Sequence, residues 1–310
     1  MNYLKLAKAV IRPLLLPVFR FLSPIIEIFR QINQVCVYNK KFLNAGLRIP
    51  EKKDCSITPE IAVFIPVAAK DYDKVSLCVS SLRRYLLNPI HQIIICGKND
   101  LQLRQICEEI QCEFIDENTI TPIKKCHVQV HVNGIDRSNW VFQQILKLSL
   151  FECVKVDNAL IWDADTCLNR KMLFTFDGIS VIEYEPKFYS PYFLTATKLL
   201  GEITYLGVEF TCHKLLVNRK YMQEMLNLIE SISKQKWYRA YIDAIDLNEE
   251  SSISEYATYS LFMISKHPER VDLQHWRNIA ENKKTSHLRQ RVLSIWFRSI
   301  SHHDYAQKKN

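Results

Sequence analysis

Apolar residues gather in short unbroken runs through the middle of the chain, with helical patterns between them. "IAVFIPVAA" (61–69) is continuous, rich in β-branched residues, and gives way to polar Lys70 and Asp71. Such a run predicts a strand buried on both faces. A helical pattern spans about Asp73 to Leu87, followed by "HQIIICG" (91–97), a polar helical stretch over 100–111 and the short "CEFID" (112–116). Ser138 is placed to N-cap a helix running to 153, and "ALIW" (159–162) is the next strand. Beyond residue 178, "ISVIEY" and "GVEFTC" read as strands before helical periodicity takes over from 218 to 236. Strands alternating with helices predict a mostly parallel α/β sheet with helices on its faces. The pattern divides the chain into an N-terminal arm (1–55), one α/β domain (56–275) and a C-terminal helix or tail (276–310).

Composition supports a globular body: 48% of the 310 residues are hydrophobic and 11% aromatic. Ten cysteines occur without C-x-x-C pairs, zinc spacings or a secretory signal, the usage of a reducing, cytoplasmic compartment. The net charge of +8 is unevenly spread. Residues 1–50 carry +7 and residues 276–310 carry +6, whereas the body between them carries −5. A body without a basic stripe argues against nucleic acid as a partner.

The arm "LKLAKAVIRPLLLPVFRFLSPIIEIF" is apolar, but Arg12, Arg20, Glu27 and three prolines interrupt it, so no spanning helix is expected. Leu, Ile and Phe interleaved with Lys5, Lys8, Arg12, Arg20 and Arg30 suit the headgroup layer of an anionic membrane. The expectation is peripheral attachment on the cytoplasmic face; the alternative is that these residues pack on the domain. "HLRQRVLSIWFRS" (287–299) repeats the basic–aromatic theme.

Chemistry is expected where strands end, because open α/β sheets bind ligands beyond their carboxyl ends. Lys70–Asp71 and Asp163–Asp165 both lie at such ends. An Asp-x-Asp pair offers hard oxygen ligands for Mg²⁺ or Mn²⁺. The pattern alone is weak, since Asp71-Tyr72-Asp73 repeats it. Six glycines leave no G-x-G-x-x-G and no P-loop, so a bound diphosphate needs a cation and side chains to neutralise it. Upstream, Trp140, Gln143, Gln144 and Lys147 share one helical face opposite Val141, Ile145 and Leu148. That polar face is either solvated or part of a binding site.

The order W-V-F-Q-Q-I-L-K-L, I-W-D-A-D-T, V-I-E-Y, E-F-T-C-H and S-I-S-E-Y resembles a bacterial family of GT-A-type glycosyltransferases over about 61–276. The resemblance implies a GT-A-like fold, a nucleotide-sugar donor held by Mn²⁺ or Mg²⁺, and a polysaccharide or glycolipid acceptor. It also implies that Asp163 lies near the ribose as well as the metal, that Asp165 is a metal ligand, and that His213 is a further contact to the metal or the diphosphate. Asp71 is implied at the base or ribose, Arg137 and Lys147 at the diphosphate, and Gln144 at donor hydroxyls. Glu255 is the candidate base for the acceptor hydroxyl, with Glu183 as its rival, and His275–Trp276 are candidates to close the site. Two other readings compete. One is a haloacid-dehalogenase-type phosphatase, although Cys167 stands where Thr or Val is expected and three strands precede Asp163. The other is a non-catalytic, membrane-attached binding module.

Overall fold

A computed structural model describes Ile25, residues 27–38, Phe42, residues 57–281 and residues 291–302. Lys5, Lys8, Arg12 and Arg20, on which the membrane expectation partly rests, lie outside the described residues.

Helix α1 (27–38) precedes the domain. The domain begins with β1 (Ile61–Val67), α2 (Tyr72–Tyr85), β2 (Ile90–Gly97), α3 (Leu101–Glu109) and β3 (Glu113–Asp116). After a short hairpin come α4 (Ser138–Leu148), β4 (Asn158–Trp162), β5 (Thr166–Leu168) and β6 (Ile179–Tyr184). Next are α5 (Ser190–Leu200), β7 (Lys214–Asn218), α6 (Arg219–Ser233) and α7 (Trp237–Asp243). The last elements are α8 (Glu255–Lys266), β8 (Val271–His275), β9 (Asn278–Ala280) and β10 (Ser299–Ser301).

The central sheet has the order β7-β4-β1-β2-β3. It is parallel except for β7, which runs antiparallel to β4. Every residue of β1 is buried because the strand lies mid-sheet with helices on both faces. The strand period of two assigns its side chains to separate cores. Ile61, Val63, Ile65 and Val67 pack with Val75, Cys78, Val79 and Leu82 of α2 and with Leu103 of α3. Ala62 and Phe64 pack on the other face with Val141, Ile145 and Leu148 of α4 and with residues of α8. A buried phenylalanine such as Phe64 contributes about 3–5 kcal/mol by the usual cost of truncation to alanine. Gly97, at the carboxyl end of β2, is required by close packing: a Cβ there would meet Val67 O at 2.7 Å and Leu103 Cδ2 at 2.8 Å.

Three expectations change. "GVEFTC" is not a strand; apart from one isolated bridge between Glu185 and Glu209 it runs as loop, and the strand begins at Lys214. The positive φ of Gly207 (66°) and His213 (59°) turns the chain instead of extending it. Ser138 is the first residue of α4 and not its cap, and α4 ends at Leu148, with only a 3₁₀ turn (Leu150–Glu152) beyond. Finally, the described part of the C-terminal stretch joins the fold through β10. Strand β10 pairs antiparallel with β5 and parallel with β9.

Helix α1 packs on this same side. Trp296 Nε1 donates to Gln31 Oε1 at 2.8 Å, the Tyr38 ring centre lies 6.0 Å from that of Tyr184, and Phe42, after the helix, meets the Tyr184 ring edge-on at 4.7 Å. Among the described residues no helix is long and apolar enough to cross a membrane.

Candidate functional site

The carboxyl ends of β1, β2 and β4 open into a cavity of about 880 Å³. Of the residues singled out from the sequence, Asp71, Gln144, Lys147, Asp163, Asp165, His213 and Glu255 line it. A larger cavity of 1290 Å³ lies near the opposite edge, beside Asn158 and Asn218, and holds none of them.

The polar face of α4 turns into the smaller cavity, so Gln144 and Lys147 are buried and not solvated. Lys147 Nζ is the centre of the cluster, 2.9 Å from Asp163 Oδ1, 2.7 Å from Glu255 Oε1 and 3.0 Å from the Tyr256 hydroxyl. Tyr256 in turn donates to Asp163 Oδ1 at 2.7 Å. Burial opposes the charge on Lys147, but Asp163 and Glu255 outweigh it and raise its pKa. Burial, then Asp163 and Glu255, also raises that of Tyr256, which stays a neutral donor.

Glu255 reaches this position through a helix end. Ser254 caps α8 by accepting from Ala257 N at 3.2 Å, making Glu255 the first helical residue. The Glu255 backbone N–H, one of the donors a helix start leaves over, goes to Gln144 Oε1 at 3.1 Å. The Tyr241 hydroxyl donates to the same oxygen at 2.9 Å. Two donors on one oxygen fix the amide's orientation, leaving Gln144 Nε2 as a buried donor with no protein partner.

The second aspartate belongs to a different group. Thr166 Oγ1 lies 3.3 Å from Asp165 Oδ1, 3.4 Å from His213 Nδ1 and 3.0 Å from Ser301 Oγ. His213 Nδ1 is also 3.1 Å from Ser301 Oγ. His302 N–H donates to Asp165 O at 2.8 Å, so β10 supports the Asp-x-Asp turn directly. His213 holds φ of 59°, a conformation costing a non-glycine residue about 1–2 kcal/mol. Its carbonyl accepts from Asp163 N–H at 3.0 Å, and its ring meets Trp276 edge-on at 4.9 Å.

The expected three-ligand metal set does not form as one group. Among the described residues no three His, Cys, Asp or Glu side chains converge on a point. Asp163 Oδ1 is engaged by Lys147 and Tyr256, whereas Asp165 and His213 share Thr166. A carboxylate and an imidazole fit a divalent ion whose other ligands are phosphate and water oxygens.

Other expectations also shift. Glu255 lines the cavity and is held in an ion pair with Lys147 at 2.7 Å. Glu183 does not line the cavity; it is buried against Lys214 Nζ at 2.6 Å, with Arg298 at 3.5 Å. Lys147, with two carboxylates, has little charge left for a diphosphate. Arg137 stands behind the wall, 4.4 Å from the Trp140 ring centre and 3.0 Å from Ser251 Oγ. Asp71 is in the 3₁₀ turn after β1, paired with Lys74 at 2.8 Å. His275 is buried against Tyr184 and does not close the cavity.

Tyr256, Tyr241, Thr166, Ser301 and His302 carry no periodic signal, although Tyr256 and Thr166 stand inside the two quoted motifs.

Among solved structures the chain is similar to mouse xyloside xylosyltransferase 1 in its apo form, at 12% identity over 79% of this chain and 98% of that one, with a TM-score of 0.46. It is similar to the galactosyltransferase LgtC in complex with donor and acceptor sugar analogues, at 12% identity, 78% and 87% coverage and a TM-score of 0.45. A further likeness is to the glycosyltransferase GlyE of Streptococcus pneumoniae TIGR4, at 18% identity, 70% and 45% coverage and a TM-score of 0.37. No curated protein matches the sequence. Residues 58–309 match the family described as "Family of unknown function (DUF6492)", and the chain belongs to that family.

Proposed function

We propose that this protein is a metal-dependent glycosyltransferase that moves a sugar from a nucleotide-sugar donor to a polysaccharide or glycolipid acceptor at the cytoplasmic membrane surface. The observation that carries this reading is the division of labour at the Asp-x-Asp turn. Asp163 is locked to Lys147 and Tyr256, while Asp165 and His213 stand together on Thr166.

Charge supports the metal. The cavity wall holds Lys70, Lys98, Lys125 and Lys147 against Asp71, Glu117, Asp163, Asp165 and Glu255. Lys125 is paired with Glu117 at 2.8 Å and Lys147 with two carboxylates. A diphosphate therefore meets an acidic wall and requires a divalent cation, which Asp165 and His213 would hold. An imidazole in the ligand set favours Mn²⁺ over the harder Mg²⁺. The bound ion supplies Lewis-acid stabilisation of the leaving diphosphate.

The protein's own groups have other tasks. Glu255 positions Lys147. Gln144 Nε2 offers a hydrogen bond to a hydroxyl of the transferred sugar. Asp71, on the cavity wall after β1, would meet the nucleoside. As a phosphatase nucleophile Asp163 would be weak, because Oδ1 already accepts from two donors.

A thermal-shift screen of nucleotide sugars with and without Mn²⁺ tests the reading. A ligand at a hundred times its Kd stabilises the fold by about 2.7 kcal/mol. At least one nucleotide sugar should raise Tm in the presence of Mn²⁺, and Asp165→Ala should abolish that rise. A screen in which no nucleotide sugar shifts Tm, or in which the shift ignores both Mn²⁺ and Asp165, overturns it.

A further inference from the structure

We propose that a shelf of aromatic rings at the cavity mouth binds a neutral saccharide, the acceptor of the transfer. The proposal rests on the glycosyltransferase reading above and adds a site to it.

The shelf is built by residues 188–193, which run into the first turn of α5, and by Tyr205 beyond its end. Tyr192 lines the cavity that holds the two aspartates. Tyr189 meets Tyr192 edge-on at 4.8 Å. Phe188, Phe193 and Tyr205 form a second group, with ring centres 5.1 Å apart for Phe188–Tyr205 and 5.3 Å for Phe193–Tyr205. Tyr192 and Phe193 lean on the core, whereas Phe188 and Tyr205 reach solvent. Phe188 is 39% exposed and Tyr205 58%, and Leu194 beside them is 58% exposed. A contiguous apolar surface left in water beside a cleft marks a binding site.

Chemistry selects the occupant. The rings lie next to an acidic loop, Asp246 to Glu250, whose Glu249 contacts the Tyr189 hydroxyl. Tyr192 contacts Ser251 of the same loop. Burial comes first in raising the pKa of Tyr189, with Glu249, Glu209 and Glu250 adding to it, so the phenol remains a neutral donor. A pyranose presents C–H bonds on its faces, which lie on aromatic rings, and hydroxyls at its edge, which donate to carboxylates. The same carboxylates repel phosphate, acidic sugars and an anionic bilayer. They also oppose a second copy of the chain, which would bring its own acidic loop to the contact. Tyr192 lines the cavity and Tyr189 packs on it, so a saccharide spanning this shelf would reach towards the sugar to be transferred.

The test uses the full-length protein on an array of neutral, amino and acidic oligosaccharides, with Phe188→Ala and Tyr205→Ala as variants. Both side chains are exposed, so the unliganded Tm should stay near that of the wild type. The wild type should retain neutral oligosaccharides, and each variant should bind them about tenfold or more weakly. The Tm shift by nucleotide sugar with Mn²⁺ should be unchanged in both. The proposal is overturned by a wild type that retains no neutral saccharide or by variants that bind as the wild type does. Loss of vesicle binding or self-association in place of saccharide binding overturns it as well. A wild type that binds saccharides while no nucleotide sugar shifts its Tm overturns the transferase reading alone.

Discussion

Lys147 shows how much one buried side chain holds together. It is 3% exposed and bridges Asp163, after β4, to Glu255, at the start of α8. Lys147→Met would leave two carboxylates facing each other without a cation. A broken buried pair typically costs 3–5 kcal/mol, so urea unfolding should show a loss of about that size. Tyr256→Phe, which removes a single hydroxyl, should lose about 1–3 kcal/mol. A Lys147→Met protein within about 1 kcal/mol of the wild type would contradict the central role of this cation. The sequence revealed the polar face of α4 but not its partners, because hydroxyls such as those of Tyr241 and Tyr256 leave no trace in periodicity. Titration adds a second prediction. Burial, then Arg277, lowers the His275 pKa to about 4 from an ordinary 6.5. The unfolded chain therefore takes up this proton first as pH falls. The contribution of His275 is fully present above about pH 6.5 and is lost towards pH 4, amounting to roughly 3 kcal/mol. Asp272 runs the other way: burial raises its pKa to about 6, so its contribution is lost as pH rises from 3.8 through 6. In urea unfolding between pH 4 and 7, Asp272→Asn should steepen the gain in stability with pH, and His275→Gln should flatten it. Unchanged slopes in both variants would refute the two assignments.

Elements were legible in the sequence in proportion to how much of their structure is their own. Strands β1, β2 and β4 are continuous apolar runs because both of their faces are buried, and they fall within a residue or two of expectation. "GVEFTC" alternates apolar and polar residues as a strand does, but turns at Gly207 and His213 override its propensity. Strand β10 had no signal at all. Its three residues, Ser299–Ser301, are strand only because β5 and β9 flank them, a relation made across more than a hundred residues of chain for β5. That strand brings Ser301 and His302 to Asp165 and His213, so part of the site comes from a stretch that reads as a basic tail. Ending the chain after Arg298 should preserve the far-ultraviolet dichroism of the central sheet, which β10 does not join. The same truncation should abolish the Mn²⁺-dependent Tm shift by nucleotide sugar. A truncated protein that keeps the full shift would show that β10 does not support the site.

Basic charge is gathered at the two ends of the chain, and the described part of those ends also exposes apolar side chains. The inner side of α1 uses Gln31, against Trp296, and Tyr38, against Tyr184. Its outer side leaves Phe29, Ile32 and Val37 exposed, Phe29 by 69%. The neighbouring C-terminal segment exposes Val292 and Ile295, the latter by 74%, with Arg291 exposed beside them. Packing on the domain and contact with a membrane are therefore compatible, because they use different sides of one helix. Arg30 is paired with Glu27 on the same helix, so Arg291 would be the described cation to meet anionic headgroups, a basic residue near such a surface contributing about 1 kcal/mol. Phe29 and Ile295 would enter the acyl boundary, where burying each side chain is worth about 1.5–3 kcal/mol. Full-length protein should co-sediment with vesicles containing phosphatidylserine more than with phosphatidylcholine vesicles. Added salt should weaken this binding by screening the cationic part. Phe29→Glu combined with Ile295→Glu should lower the partition coefficient by about a hundredfold or more. Both positions are exposed, so the double variant should keep the wild-type Tm. Sedimentation unchanged in the double variant would remove this face from the membrane contact.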